Sequence, residues 1–185
     1  MATTTLLTAE EFLAFPESLY KPELVQGEVV EMAPVGGYHS NTQLALGMYP
    51  RLHTQRRAQG RVGVELGFIL TTDPDTVRAP DVSFISAEQL RTTPLSAGFY
   101  PGYPDTAAEV VSPGDAVTQL DAKVQDYLDA GTRLVWVVNP DTRSVAVYSP
   151  DGQIRILGAD DVLTGGAVLP ALEIPVSDLF LGQDG

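Results

Sequence analysis

The chain contains no cysteine and only two histidines, His39 and His53. The absence of cysteine excludes disulfides, thiolate metal sites, iron–sulfur clusters and a cysteine nucleophile. Without thiolates or a histidine cluster, any metal site has to be built from carboxylate oxygens. Such ligands suit hard cations, so the sequence favours magnesium or manganese over zinc.

Long apolar runs are also missing. Residues 1–15 lack a basic start and carry Glu10 and Glu11 among the apolar side chains, so they do not resemble a signal peptide. No segment reaches the ~18 consecutive apolar residues that a membrane span needs. We therefore expect a cytoplasmic protein without a membrane anchor.

Positive charge is scarce, because the formal net charge is −13. Affinity for nucleic acid comes largely from cations that displace counterions from phosphates, so this charge opposes strong non-specific binding. Arg51, Arg56, Arg57 and Arg61 are the local exception. They form either a basic patch on an acidic protein or an ordinary solvated helix face.

A length of 185 residues and a hydrophobic content of 44% are typical of one globular domain, here residues 1–185. In the first half, Thr8 and Glu11 have capping-box spacing before a short helix. Gln26 and Gly27 lie in the turn of an expected hairpin with strands at 23–25 and 28–32. A helix is expected over residues 38–59, capped by Ser40 or Asn41 and kinked or broken near residues 46–50 by Pro50.

Strands are expected over residues 61–70 and 81–85, followed by a loop over residues 86–104 that contains one helical turn. Residues 107–111, 115–130 and 134–138 have the pattern of a strand, a helix ending at Gly131 and a buried strand, which together make a βαβ unit. A hairpin over residues 144–148 and 153–157 and a strand with a final turn over residues 168–180 complete the chain.

Two acidic residues occupy positions that suit carboxylates poorly. Asp81 opens an expected strand directly after Pro80, and Glu109 interrupts the apolar run 107–111. A buried carboxylate costs several kcal/mol unless it is paired or bound to a metal. Each of these acids therefore implies a partner, which is either a structural ion pair or a metal ion.

Lys123 is one of two lysines, in a chain that otherwise uses nine arginines as its cations. Lysine carries a compact ammonium group that can pair with a water or a phosphate oxygen. Tyr127 follows one helical turn later, so both side chains can face the strand that bears Glu109. The alternative is a surface pair between Lys123 and Asp126.

Several of these segments, taken in order, resemble the Uma-two family of the restriction-endonuclease-like, or PD-(D/E)XK, superfamily. The segments that carry the resemblance are Glu23-Leu24-Val25-Gln26-Gly27-Glu28, His39, Arg78-Ala79-Pro80-Asp81-Val82-Ser83-Phe84, Glu109-Val110-Val111-Ser112-Pro113-Gly114-Asp115, Lys123 with Tyr127, and Ala130-Gly131. They extend over nearly the whole chain. The resemblance implies an α/β (mixed α+β) fold in which helices flank a mixed central β-sheet.

The resemblance also implies a divalent metal, magnesium or manganese, held by Asp81 and Glu109, with a lysine beside them. In the general superfamily pattern the lysine stands two residues after the second acid, where this chain has Val111. The resemblance therefore nominates Lys123, on the following helix, as the third catalytic residue.

Four further residues are accessory candidates. Glu23 and Glu28 flank the hairpin turn and are either additional metal ligands or simple hairpin charges. His39 is either a proton-transfer residue or a helix-start histidine bonded to backbone. Arg78 binds a phosphate or forms a salt bridge with Asp75.

The function expected from these residues is a magnesium-dependent endonuclease that hydrolyses phosphodiester bonds in DNA. The competing expectations are a non-catalytic binding or regulatory module that keeps the nuclease fold, and a small-molecule phosphoesterase. Because the edges of a small mixed sheet need covering, we also expect a homodimer.

Overall fold

A computed structural model of the chain describes residues 6–15, 22–31 and 34–183. Within these residues the chain forms four α-helices, thirteen strands and a 3-10 helix. The helices are α1 Ala9–Leu13, α2 Gly37–Arg57, α3 Ala87–Thr92 and α4 Val117–Ala130, and the 3-10 helix is Val176–Phe180. The strands are β1 Pro22–Val25, β2 Glu28–Glu31, β3 Gly60–Val64, β4 Phe68–Thr71, β5 Thr76–Arg78, β6 Val82–Ser86, β7 Tyr100–Pro101, β8 Thr106–Val110, β9 Leu134–Asn139, β10 Ser144–Tyr148, β11 Ile154–Leu157, β12 Val162–Gly165 and β13 Leu169–Pro175.

A mixed six-stranded sheet with the order β11-β10-β9-β8-β6-β3 lies at the centre of the protein. Strands β8 and β9 run parallel and are joined by α4, which confirms the expected βαβ unit. The other neighbouring pairs in this sheet are antiparallel. A five-stranded sheet with the order β2-β1-β5-β4-β7 and the hairpin of β12 and β13 lie beside it.

Helices cover both faces of the central sheet, because side chains along a strand point alternately to opposite faces. On one face Trp136 of β9 packs with Leu46 of α2 and with residues of β13 and the 3-10 helix. On the other face Val135 and Val137 of β9 pack against Val124 of α4. The expected fold class, a mixed central sheet flanked by helices, is confirmed.

Local sequence signals predicted several elements correctly. Thr8 and Glu11 form the capping box of α1, with each side chain bonded to the other residue's backbone amide. Gln26 and Gly27 have positive φ angles of 50° and 80° in the turn between β1 and β2. Gly131 ends α4 with a φ of 114°. The expected strand end at Met32 lies outside the described residues.

The break considered at Pro50 and the expected N-cap of α2 are both wrong. The helix passes through Pro50 without a break, and its N-cap is Gly36 rather than Ser40 or Asn41. Pro50 is buried and lies one turn after Leu46, which is fully buried in the main core. We attribute the continuity of the helix to this packing, because burial along the inner face of a long helix offsets the ~3 kcal/mol that an internal proline costs.

The strand expected over residues 61–70 is also wrong, because the chain turns at residues 65–67. Strand β3 joins the central sheet, whereas β4 joins the five-stranded sheet. Strands β5 and β12 were not expected, since three or four residues carry too weak a pattern to predict a strand. In the expected loop over residues 86–104, α3 supplies the helical turn and β7 adds a short strand.

Candidate functional site

The register of the central sheet brings the two candidate acids together. Val82 at the start of β6 lies opposite Ala108 of β8 in an antiparallel pair. Continuing this register by one residue places Asp81 opposite Glu109, with both side chains on the same face of the sheet. Asp81 and Glu109 are only 8% and 5% exposed. Asp81 Oδ2 accepts a hydrogen bond of 2.7 Å from the Val110 N–H, which fixes the aspartate against β8.

Helix α4 adds a cation and a hydroxyl to the same place. Lys123 and Tyr127 are one turn apart and both are buried. Lys123 Nζ lies 3.3 Å from Glu109 Oε2, and the Tyr127 hydroxyl donates a 2.7 Å hydrogen bond to Glu109 Oε1. Asp81, Glu109 and Lys123 therefore share one cleft, although they come from three separate segments of the chain.

The hairpin of β1 and β2 contributes one of its two glutamates. Glu23 is 2% exposed, and its Oε1 lies 3.2 Å from Lys123 Nζ. Glu28 is exposed at the start of β2 and is not among the residues that line the cleft. Both glutamates point to the same face of the sheet, since Val25 pairs with Glu28. The difference lies in their strands: the register places Glu23, on β1, opposite Arg78 of β5, whereas Glu28 lies on β2, the outermost strand of the five-stranded sheet.

Arg78 has different partners from the expected one. Its guanidinium donates to Glu23 Oε2 at 2.8 Å and to Asp126 Oδ2 at 2.7 Å. Asp75 instead accepts a hydrogen bond from the Ala9 N–H, so the expected salt bridge between Arg78 and Asp75 is wrong. Asp126 is thus bound to Arg78, and Lys123 forms its ion pairs with Glu23 and Glu109.

His39 reaches the cleft from the first turn of α2. Its Nε2 lies 3.1 Å from Asp81 Oδ1, and its Nδ1 lies 2.9 Å from the Ser112 Oγ. A carboxylate oxygen accepts hydrogen bonds, so Nε2–H donates to Asp81, while Nδ1 shares a hydrogen bond with the Ser112 hydroxyl. Gln43, one turn further along α2, donates to the backbone oxygen of Asp81 at 3.2 Å. The helix therefore holds Asp81 through both its side chain and its backbone.

The buried charges in this site do not balance. Among the described residues, three buried carboxylates, those of Glu23, Asp81 and Glu109, face the two buried cations Arg78 and Lys123. Burial and the neighbouring charges of Asp81 and Glu23 raise the pKa of Glu109 to about 7, although Lys123 and Tyr127 act in the opposite direction.

The same excess of negative charge acts on the groups around Glu109. Burial lowers the pKa of Lys123, but Glu109 and Glu23 outweigh that effect and hold it above its ordinary value, so the ammonium group stays charged at neutral pH. Burial and the charge of Glu109 raise the pKa of Tyr127 well above its ordinary value, so its hydroxyl remains a donor. A divalent cation is a ligand that would compensate this excess.

The donor set fits a hard cation that keeps part of its water shell. Asp81 and Glu109 line a cleft of about 60 Å³, which is large enough for an ion with water. Each of their oxygens accepts one protein hydrogen bond, and a carboxylate offers about four acceptor positions, so lone pairs remain. No group of three or more His, Asp or Glu side chains in the described part of the chain is placed to cage an ion. Magnesium commonly binds through one or two carboxylates and retains several waters.

The remaining candidates lie elsewhere. All four arginines of the suggested basic patch are exposed, and they do not line the cleft. Val111, at the position of the superfamily lysine, packs with the apolar residues beneath α4.

Sequence reasoning gave no role to Ser112 and considered Asp126 only as a surface partner of Lys123, although Ser112 bonds to His39 and Asp126 bonds to Arg78. Ser112 stands inside the segment that carries the resemblance, so its position was a usable signal. The pairing of Asp126 with Arg78 links residues 48 positions apart and has no local signature.

Comparisons with known proteins agree with this geometry. The chain matches the family model described as "Uma2: Putative restriction endonuclease" over residues 9–177. It also resembles a crystal structure described as "a putative nuclease belonging to DUF820" from Anabaena variabilis, with a TM-score of 0.81 and 23% sequence identity over 94% of this chain and 97% of the other. No curated protein matches the chain.

The fold and the family match define the class of protein. A mixed sheet covered by helices, in a chain that matches this family model and this nuclease structure, is a restriction-endonuclease-like fold. The chain belongs to the Uma2 family, which is the Uma-two family indicated by its sequence motifs.

Proposed function

We propose that this protein is a metal-dependent endonuclease that hydrolyses phosphodiester bonds in DNA. The observation that carries the proposal is the meeting of Asp81, Glu109 and Lys123 in one cleft of a protein from a family described as "Putative restriction endonuclease". Asp81 and Glu109 would hold magnesium or manganese. When bound, such an ion supplies an activated water and neutralises charge on the phosphoryl oxygens.

The side chains around the proposed metal site have separate roles. Lys123 remains a cation at neutral pH, so it acts as an electrostatic partner of the attacking hydroxide and of the phosphoryl oxygens rather than as a base. Tyr127 and Lys123 hold the two oxygens of Glu109 in place. His39 orients Asp81, because its two ring nitrogens already contact Asp81 and Ser112. Arg78 fixes Glu23 beside Lys123 and acts as a positioning residue rather than a phosphate ligand.

The proposal extends to the organisation of the protein. We propose that residues 1–185 form one domain and that the protein works in the cytoplasm as a homodimer. No helix in the described residues is long and apolar enough to cross a membrane.

The second candidate is a non-catalytic binding or regulatory module that retains the nuclease fold. Two observations favour it. The net charge is −13, and the arginines at positions 51, 56, 57 and 61 lie outside the cleft, so the described residues form no track for a phosphate backbone at the site.

Cleavage assays separate the candidates. Purified protein is incubated with supercoiled plasmid, single-stranded DNA, RNA and mononucleotides in magnesium, manganese or EDTA, beside the variants Asp81→Asn and Lys123→Met. Glu28→Gln is the matched control, because it removes a carboxylate of the same hairpin as Glu23 that lies outside the cleft. We expect metal-dependent cleavage of DNA by the wild type and the control, and none above the EDTA level by the other two variants.

Each alternative result has its own meaning. Cleavage that persists in Asp81→Asn would refute the assigned site. Binding without cleavage of any polymer would favour the regulatory module, and hydrolysis confined to mononucleotides would favour a phosphoesterase.

The metal proposal is tested without any substrate. A ligand at a hundredfold excess over its Kd stabilises a protein by ~2.7 kcal/mol, which for a chain of this size raises Tm by about 5–10 °C. We expect this rise with magnesium or manganese in the wild type but not in Asp81→Asn, as measured by thermal denaturation. An unchanged wild-type Tm at millimolar metal would count against the site.

A further inference from the structure

The outer face of α2 carries apolar side chains that the core does not use. Leu44, Met48 and Leu52 recur at every fourth position and are 71%, 50% and 48% exposed. The side of α2 that packs into the protein contains Leu46 and Pro50 instead. This spacing of four residues therefore marks the solvent face of the helix, which needs an explanation other than core packing.

Beside this stripe lies an open edge of the central sheet. Among the described residues, β3 pairs only with β6. The Ala87 N–H donates to the Gln59 carbonyl, so these two opposite residues form a hydrogen-bonded pair. Hydrogen-bonded and non-hydrogen-bonded pairs alternate along antiparallel strands, and this alternation directs the amides and carbonyls of Val62 and Val64 away from β6. Their side chains face α2, and Val64 is 57% exposed. Strand β3 thus offers hydrogen-bonding groups along the rim of the apolar stripe.

A groove of about 810 Å³ runs between the stripe and this edge strand. Its lining includes Leu44, Met48, Val62 and Val64, and Arg51 is its one charged residue. No Asp or Glu occurs anywhere in the 21 residues of α2, although the chain as a whole carries a net charge of −13. Helix α2 instead carries the positive charges of Arg51, Arg56 and Arg57, so apolar contact rather than charge has to hold two copies together here.

We propose that this surface, formed by the outer face of α2 and the free edge of β3, is the interface with a second copy of the chain. This proposal deepens the homodimer of the proposed function by naming its contact surface. A two-fold interface requires a self-complementary patch. The stripe meets that requirement, since it is symmetric about Met48. An antiparallel partner places Leu44 against the partner's Leu52 and Met48 against the partner's Met48.

The available area is sufficient for a weak dimer. A helix of 21 residues is about 30 Å long and 10–12 Å wide, so contact along α2 together with the β3 edge buries roughly 1,000 Å² over both copies. This lies below the roughly 1,200–2,000 Å² of specific stable interfaces and at about the 1,000 Å² that a weak interface needs. We therefore expect dissociation in the micromolar range.

Sedimentation velocity and light scattering from about 1 to 200 µM test the proposal on the full chain. The test variant is Met48→Glu, in which the two-fold axis brings two glutamates together. Methionine and glutamate have similar helix propensities and Met48 is half exposed, so the monomer should fold normally, which circular dichroism checks. The matched control is Ile156→Glu, which changes the net charge equally at a 68% exposed position on β11, the opposite edge strand of the same sheet.

We expect a concentration-dependent dimer for the wild type and Ile156→Glu, and a Kd at least about tenfold higher for Met48→Glu, because each substitution occurs twice in a two-fold interface. Leu44→Glu should weaken the dimer in the same way. A wild-type chain that is monomeric at every concentration would overturn the proposal. A dimer that dissociates in Ile156→Glu but not in Met48→Glu would also overturn it. The same holds if the protein is a monomer that binds duplex DNA and Met48→Glu abolishes that binding. Oligomeric state is measured independently of cleavage, so this proposal and the nuclease can fail separately.

Discussion

The buried carboxyl of Glu109 makes a quantitative prediction about stability and pH. Its pKa is raised from an ordinary value of 4.5 to about 7, mainly by burial and then by the charges of Asp81 and Glu23. A carboxyl with a raised pKa in the folded state contributes stability below about pH 4.5, and that contribution is lost as the pH rises through about 7. The metal-free protein should therefore lose stability between about pH 5 and about pH 8 through this one group.

The magnitude follows from the size of the pKa change. A shift from 4.5 to about 7 corresponds to about 3 kcal/mol, because one pKa unit is worth about 1.4 kcal/mol. Glu109→Gln removes the titration but leaves a side-chain oxygen that can accept the Tyr127 hydroxyl. The free energy of unfolding of the wild type, relative to that of Glu109→Gln, should fall by about 3 kcal/mol from about pH 5 to about pH 8.

Urea denaturation in EDTA at both pH values measures this quantity. Contributions from titrating groups distant from Glu109 cancel when the two proteins are compared at each pH. Glu28→Gln is the control, because Glu28 is exposed and its substitution should give the same difference from the wild type at both pH values. If the difference between wild type and Glu109→Gln is the same at both pH values, burial does not raise the pKa of Glu109 and the charge imbalance proposed for the site is wrong.

Two further substitutions test the network around this carboxylate. Tyr127→Phe should lower the free energy of unfolding by about 1.5–3 kcal/mol, the usual worth of a hydrogen bond to a charged group, as measured by urea denaturation against the exposed control Tyr38→Phe. A loss as small as that of the control would mean that the hydroxyl does not bind Glu109. Arg78→Met should cost about 3–5 kcal/mol, because it removes one of the two buried cations that face the three buried carboxylates and leaves Glu23 with Lys123 alone, whereas Arg91→Met at an exposed position should change stability by less than about 0.5 kcal/mol. Equal Tm values for these two variants would contradict the buried ion pair.

Local signals in the sequence were sufficient for much of the fold. The capping box of α1, the turn at Gln26 and Gly27, and the glycine at the end of α4 depend on neighbouring residues alone. The βαβ unit was also predictable, because a buried strand after an amphipathic helix has few other arrangements. Predictions failed where long-range packing decides, as at Pro50 in α2 and in the division of residues 61–70 between two sheets.

The candidate site shows the same division. Sequence alone singled out Asp81, Glu109 and Lys123, because each is an unusual residue for its position. Their ion-pair partners could not be predicted in the same way. Local reasoning considered Lys123 with Asp126 and Arg78 with Asp75, but Lys123 pairs with Glu23 and Glu109, and Arg78 pairs with Asp126. Sequence reasoning assigns ion pairs to residues that are near each other in the chain, whereas buried charges pair with residues that are near only in the tertiary structure.

What the sequence by itself determined is the chemistry. Without cysteine and with two histidines, the chain has carboxylates, a lysine and hydroxyls to work with, and their positions in apolar segments predict that they are buried. Only the tertiary structure decided which of them meet. Glu23 lies in the cleft and Glu28 does not, and the apolar stripe of α2 faces solvent while Leu46 faces the core. The physical reason is that strand register and helix rotation are determined by packing between segments distant in sequence, and no local pattern encodes that packing.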